Sequence, residues 1–291
     1  MAATPSIAIL GTPGSWHAEA LCRCCRQTGL TGTVVTWPEL AATVGNGPPQ
    51  FQPHAVATAT AVVVRGMPTG SLEQVITRMD ILGQLAATGH RVLNRPAALE
   101  TAIDKYLTSA RLHAAGLPVP RTTVIQSATA LRQFTEACGG TAIVKPLFGS
   151  NGKRITLFSA ETTLLPEPLF VSGIALAQEP IDNEGWDVRI LLVGDAVYAM
   201  KRVAPAGDWR TNIALGGQPE PFTPPADWIA LARQAAAAVD TELAGVDLLP
   251  ARDGSVWLLE VNAVPGWRAL QTVTPHDIAA AVIELAVAGA G

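Results

Sequence analysis

Apolar residues in this chain recur at two spacings, short continuous runs suited to strands and a three-to-four spacing suited to helices. Ser6-Ile7-Ala8-Ile9-Leu10, Val34-Val35-Thr36 and Ala61-Val62-Val63-Val64 are runs of the first kind and predict strands. Between the first two, Ala18, Leu21 and Cys25 follow Gly11-Thr12-Pro13-Gly14 at helical spacing. Leu72, Val75, Ile76, Met79, Leu82 and Leu85 mark a helix over 71–88, stopped by Gly89, and Val92-Leu93-Asn94 predicts a further strand. Strands alternating with helices imply a parallel sheet, so residues 1–97 are expected to form a small α/β domain.

Beyond it the pattern loosens. Leu99, Ile103, Tyr106, Leu107, Ala110 and Leu112 predict one helix over 97–115, ended by Gly116, and Leu117-Pro118-Val119-Pro120 predicts an extended connector. Strands at Val124-Ile125 and Ala142-Ile143-Val144-Lys145 flank a helix holding Leu131 and Phe134. Further strands are expected over 169–175, 187–193 and 196–203. The proline-rich stretch 219–225 then separates these strands from a helix over 228–239. Two apolar runs follow, Gly245-Val246-Asp247-Leu248-Leu249 and Val256-Trp257-Leu258-Leu259-Glu260-Val261-Asn262, joined by a turn at Asp253-Gly254. They predict a hairpin, and residues 278–287 predict a closing helix.

At 291 residues the chain is long enough for two or three units with real cores, and 48% hydrophobic against 15% charged residues excludes disorder over most of its length. Twenty basic and 24 acidic residues, net -4, provide no basic face for nucleic acid. No run reaches the ~20 apolar residues of a membrane span, and no secretory pattern opens the sequence. Cys22, Cys24, Cys25 and Cys138 fit neither a disulfide framework nor a zinc spacing, and the first three read as buried helical thiols. A cytoplasmic location is therefore expected.

The hairpin carries the most informative chemistry. Glu260 and Asn262 are two apart and share a strand face, and Asp247 on the pairing run can join them. Two carboxylates and an amide oxygen suit Mg²⁺ or Mn²⁺, which keep substrate phosphates in their shells. Glu260 lies within an apolar run, where a carboxylate costs several kcal/mol to bury without a cation or hydrogen bonds. Further upstream, Lys145-Pro146-Leu147-Phe148-Gly149-Ser150-Asn151-Gly152-Lys153 sets a lysine at a strand end before a loop whose glycines let backbone N–H groups approach phosphate. Ala177-Gln178-Glu179-Pro180-Ile181 offers backbone groups for an adenine edge, and Asp187 could take ribose hydroxyls or pair with Arg189. Lys201-Arg202 and Arg210-Thr211-Asn212 gather cations in a charge-poor chain, as phosphates and a carboxylate substrate would require. Gly11-Thr12-Pro13-Gly14 lacks the full dinucleotide fingerprint and is given no nucleotide role.

Taken in order, these motifs resemble the ATP-grasp superfamily, and more closely its RimK-type carboxylate–amine ligases, over nearly the whole chain. Arg65, Ser71-Leu72-Glu73-Gln74 and Arg78-Met79-Asp80-Ile81-Leu82 resemble the N-terminal domain, and Asp104-Lys105-Tyr106-Leu107-Thr108 the start of the central one. Lys145 to Gly152 resembles the phosphate-covering loop, and Gln178 to Ile181 the adenine hinge. Asp187-Val188-Arg189 is similar to the strand after that hinge, and Gly245 to Leu249 with Leu259-Glu260-Val261-Asn262 to the metal-binding end. The resemblance implies an α/β (α+β ATP-grasp) fold with a small parallel-sheet domain (1–97) and two α+β subdomains (98–176 and 177–291) that clasp ATP. It implies ATP on Lys105, Lys145, Gly149, Ser150, Gly152, Gln178, Glu179, Pro180, Ile181, Asp187, Lys201 and Asn212. Two Mg²⁺ ions would lie on Asp247, Glu260 and Asn262, and Arg189, Arg202 and Arg210 would serve the acyl oxyanion or substrate carboxylate. The chain departs from the family at Arg154, where members commonly carry glycine.

The activity so implied is ATP-dependent conversion of a carboxylate to an acylphosphate and its capture by an amine. Glutamate is the favoured amino acid, with a small molecule such as a tetrahydromethanopterin-type coenzyme, or a peptide, as acceptor. A ligase for another amino acid, as in dipeptide or lysine biosynthesis, and a non-catalytic ATP-binding regulator are the alternatives. Neither nucleic acid nor membrane is expected as partner, and a homo-oligomer is.

Overall fold

Each apolar run of the N-terminal segment becomes a strand, buried along Ile7–Leu10 and Ala61–Val64 but only partly buried along Thr31–Val35. The computed structural model describes residues 5–45, 47–149 and 152–289. Along the chain come β1 (Ser6–Leu10), α1 (Trp16–Gln27), β2 (Thr31–Val35), β3 (Ala41–Gly45), β4 (Gly47–Gln52), α2 (His54–Ala57), β5 (Ala61–Val64), α3 (Leu72–Ala87) and β6 (Arg91–Leu93). They build a four-stranded parallel sheet in the order β2-β1-β5-β6. Ser15 caps α1 through the Ala18 N–H, and Ser71 and Gln74 form a capping box at the start of α3. Among the described residues the β3–β4 hairpin pairs only with itself; its Gly-Pro-Pro start hides any strand period in the sequence.

The helix expected over 97–115 is two helices, α4 (Pro96–Ile103) and α5 (Lys105–Ala114). Asp104 adopts an extended backbone, and its carboxylate accepts the Tyr106 and Leu107 N–H groups at 2.8 and 3.0 Å. A side chain that good at capping starts a new helix, breaking an otherwise continuous apolar pattern.

The middle unit contains β7 (Thr122–Ile125), α6 (Ala128–Ala137), β8 (Thr141–Lys145), β9 (Thr156–Ser159), α7 (Glu167–Ser172) and β10 (Ala175–Gln178). Its antiparallel sheet has the order β7-β10-β8-β9. The strand expected over 169–175 is helix α7 followed by the start of β10. Pro166 opens that helix and Gly173, with φ 68°, closes it in the left-handed region. Ala142, Val144, Ala175 and Ala177 bury against Leu131 and Phe134 of α6. By alternation, Lys145 and Gln178 face the other way, toward the third unit.

That third unit holds β11 (Trp186–Val193), β12 (Ala196–Val203), β13 (Gln218–Pro221), α8 (Ala226–Ala238), β14 (Leu243–Pro250), β15 (Val256–Asn262), α9 (Arg268–Gln271) and α10 (Ile278–Ala288). Its sheet is antiparallel, in the order β13-β12-β11-β14-β15. Strand β13 lies inside the proline-rich stretch expected to be a separator, at a sheet edge where proline costs no ladder bond. Val188, Ile190, Leu192, Val246 and Leu248 pack on α8. On the opposite face Leu191, Val193 and Met200 join α10 and, from the first unit, α1, while Asp187, Arg189 and Arg202 sit farther along. One sheet face is thus apolar at one end and ionic at the other. The closing helix α10 covers the N-terminal sheet through Ile278, Val282 and Ile283. Among the described residues no helix is long and apolar enough to cross a membrane.

Candidate active site

The ionic end of this sheet face forms a ladder of alternating charge. Register sets Asp187 opposite Arg202, Arg189 opposite Asp247, and Asp247 opposite Glu260, with Gly245 opposite Asn262. Arg202 donates Nε and Nη2 to Asp187 at 2.7 and 2.6 Å, and its Nη2 also lies 2.9 Å from Asp247 Oδ2. Arg189 grips Asp247 through Nε and Nη2, both at 2.7 Å. Thr211 adds a 2.6 Å hydroxyl donor to Asp187. Burial would raise the Asp247 carboxyl, but Arg189 and Arg202 hold it down to about 2. Burial disfavours charge on Arg202 too, and Asp247 and Asp187 more than restore it.

The hairpin brings Asp247, Glu260 and Asn262 onto one face. Gly245, opposite Asn262, lets Pro265 pack close to this strand, because a Cβ there would press on it. The donors differ in how much capacity remains. Asp247 has three of about four lone-pair sites taken by arginine N–H groups. The Asn262 oxygen accepts one bond, from the Val264 N–H at 2.9 Å, and keeps the other site. Half-buried Glu260 has no hydrogen bond or ion pair among the described residues. Nor do three His, Cys, Asp or Glu side chains cluster as a metal site among those residues; the third donor here is an amide. Hard oxygen donors with one fully open carboxylate fit a divalent cation, Glu260 having the most free acceptor capacity and Asp247 room for a single further bond.

On the middle sheet, Lys145 Nζ donates to Gln178 Oε1 at 2.9 Å, while Gln178 Nε2 donates to Thr122. Burial lowers Lys145 to about 8, aided by Lys105, against the pull of Glu260 and Asp247. That influence ties β8 of the middle sheet electrostatically to the hairpin. The loop after Lys145 is held at both ends. Lys105 Nζ donates to the Gly149 carbonyl at 2.6 Å, and Arg210 Nη1 reaches Ile155 O at 3.4 Å. Gly152, with φ 69°, lies so close to Asn212 that a Cβ there would collide with its side chain. Ser150 lies outside the described residues. Arg154 takes φ 59°, a left-handed conformation that glycine adopts without strain. Glu179, Pro180 and Ile181 directly follow β10, and the Glu179 N–H is spent on Arg121 O at 2.9 Å.

Several expected roles change in this geometry. Lys201 adjoins Arg202 in the expected cation cluster, but neighbouring residues of a strand face opposite ways. It pairs with Glu220 at 3.4 Å and lies 5.0 Å over Trp186, on the α8 side of the sheet and away from Arg202. Asp187 is buried in its pairs with Arg202 and Thr211, so both carboxylate oxygens are engaged before any ribose arrives. Asp187 and Arg189 share a face without pairing with each other. Arg210 is held by Asp208, a partner the sequence reading missed although it stands only two residues away. Thr122 and Thr211 were missed as well, since nothing local marks which carboxylate or amide they meet.

Residues 102–286 match the RimK-like ATP-grasp domain. The chain is 37% identical over 204 residues to the tetrahydromethanopterin:alpha-L-glutamate ligase of Methanosarcina acetivorans, covering 65% of this chain but only 63% of that protein. To the probable alpha-L-glutamate ligase of Mannheimia succiniciproducens it is 32% identical over 241 residues, covering 81% of this chain and 79% of the other. Among solved structures, the ATP-grasp ligase PsnB with its minimal precursor superposes with TM-score 0.78 at 23% identity, over 98% of this chain and 99% of that one. The RimK domain protein of Sphaerobacter thermophilus gives TM-score 0.74 at 22% identity, over 97% and 99%. At these identities the two structures speak for the fold.

Proposed function

The chain belongs to the RimK-like ATP-grasp family, and from that membership we propose that it is an ATP-dependent ligase joining a carboxylate to an amine, with glutamate as the added amino acid. The names of its glutamate-ligase relatives support the choice of glutamate. A small-molecule acceptor of the tetrahydromethanopterin type is supported by the relative of highest identity given above. A PsnB complex with Mg and ADP supports ATP and Mg²⁺ as the reactants' companions.

The observation that supports this reading is that the open Glu260 carboxylate of the hairpin lies within electrostatic reach of buried Lys145 on the middle sheet. Lys145 and Lys105 would supply positive charge to a triphosphate, which the glycine loop after Lys145 would cover. Arg189 and Arg202 are oriented by carboxylates rather than by solvent, so their remaining donors are preorganised for an acyl oxyanion. Glu260, Asp247 and Asn262 would hold the two Mg²⁺ ions we propose, and those ions would supply Lewis-acid stabilisation of the phosphoryl oxygens. The substrate carboxylate attacks the γ-phosphorus, ADP leaves, and the amine displaces phosphate from the acylphosphate. No side-chain nucleophile is needed.

A homo-oligomer is supported by apolar side chains left exposed on the middle unit, among them Leu157, Leu164 and Phe170. A reducing, cytoplasmic setting is supported by four free cysteines. The test is ADP and phosphate release against pools of amino acids and acceptors. Release should require both, and Glu260→Gln should lower it at least about a hundredfold. Nucleotide binding without release under any pool would favour a regulator and overturn the ligase.

A further inference from the structure

The segment that leaves the hairpin, Ala263 to Trp267, runs across the C-terminal ends of the parallel strands of the first unit. Three side chains of that unit each take one backbone atom of it, at every second residue. Asn94, directly after β6, donates Nδ2 to Ala263 O at 2.7 Å. Arg65, directly after β5, donates Nη2 to Pro265 O at 2.8 Å. His17, in the first turn of the helix after β1, accepts the Trp267 N–H on Nε2 at 3.0 Å. Strands β6, β5 and β1 are adjacent in that order in the sheet. The contacts therefore advance one strand, about 4.8 Å, for every two residues of crossing chain.

The clasp is built rather than incidental. Asn94 is 1% exposed and spends its whole amide, donating also to Leu243 O at 2.7 Å and accepting Glu242 and Leu243 N–H groups at 2.9 and 3.0 Å. It thus ties the start of β14 to the residue after Asn262. Arg65 stacks 4.2 Å over the Trp267 ring, and its Nε and Nη1 are sealed from solvent with no partner among the described residues. A guanidinium kept there with no carboxylate beside it is expensive, which makes a purely passive role a poor bargain. His17 packs edge-on to Trp267 at 4.8 Å. Burial, then Arg65 and Arg268, hold His17 at about 4, so at neutral pH it is the acceptor this geometry needs. The β1/β5 boundary is also where an open parallel sheet ordinarily receives a ligand. Here the chain's own segment fills that place.

We propose that Asn94, Arg65 and His17 are positioning residues that fix the path of 263–267 and, through it, the aim of Asn262 and Glu260 at the metal. The N-terminal unit is then part of the metal site without donating a ligand to it. This rests on the metal role given to Glu260 and Asn262 above.

The test is Mn²⁺ titration of the full chain with ADP present, followed by electron paramagnetic resonance, alongside thermal unfolding. Arg65→Met and His17→Phe should each weaken Mn²⁺ binding about tenfold, while ADP affinity without metal stays within about twofold. His17→Gln, whose oxygen can stand near the Nε2 position, should restore Mn²⁺ binding. Wild-type Mn²⁺ affinity in both variants, even with a lowered melting temperature, would overturn the proposal and leave only a structural contact. Glu260→Gln separates the two ideas. If it binds Mn²⁺ like the wild type, the metal reading itself fails; if it loses Mn²⁺ while the clasp variants keep it, only the clasp fails.

Discussion

Replacing Arg202 with Met removes the cation shared by Asp187 and Asp247, whose side chains are 4% and 5% exposed. Three charge-assisted contacts of 2.6 to 2.9 Å disappear. At about 1.5–3 kcal/mol each, the gross loss is about 5–9 kcal/mol. Much of that returns, because a guanidinium no longer has to leave water. The net cost of breaking such a pair from one side is about 3–5 kcal/mol. Asp247 keeps both bonds to Arg189, so the damage falls on Asp187, left with only the Thr211 hydroxyl. The expected loss is therefore near the low end, about 3 kcal/mol. Equilibrium urea unfolding followed by circular dichroism measures it. Asp187→Leu combined with Arg202→Met removes both charges and should come within about 1 kcal/mol of the wild type, while still impairing turnover. A single variant with the wild-type midpoint, or a double variant as unstable as the single, would refute the reasoning.

Three further outcomes follow from the same geometry. The Asp247 carboxyl sits at about 2 in the fold, below its ordinary value, so the stability it contributes is present above about pH 4 and should drain away toward pH 2; acid unfolding of Asp247→Asn should lack that component. Lys145 sits at about 8, below an ordinary lysine, so its charge fades as pH rises through 8, and ATP affinity of the metal-free protein should fall over that range by calorimetry. Loss of this pH dependence, though not of binding altogether, is expected in Lys145→Arg. Arg154→Gly relieves a left-handed conformation and should raise the melting temperature by about 2 °C, corresponding to up to about 1 kcal/mol; a lower melting temperature would show that the arginine holds the loop.

Much of the site can be read locally. Asp187 and Arg189 alternating with Val188 and Ile190 announce a strand with one ionic and one apolar face, and Glu260 with Asn262 do the same on β15. Lys201 could have been separated from Arg202 by that same alternation. Partners could not be read, because Asp187 meets Arg202 and Arg189 meets Asp247 only through strand register. Element boundaries failed where one residue outweighed a periodic pattern, as Asp104 did by capping a new helix and Gly173 by ending one. The clasp on 263–267 left no local trace at all, since His17, Arg65 and Asn94 lie in separate motifs.

Because α10 lies against Ile9, Ala61 and Val63 of the parallel sheet, sequence order and spatial order disagree. A fragment cut after the first unit would carry a bare greasy flank of those strands into water, and stickiness rather than autonomous folding should be its fate. Trimming the chain ahead of Ile278 would injure the opposite end of the polypeptide from the one that was shortened.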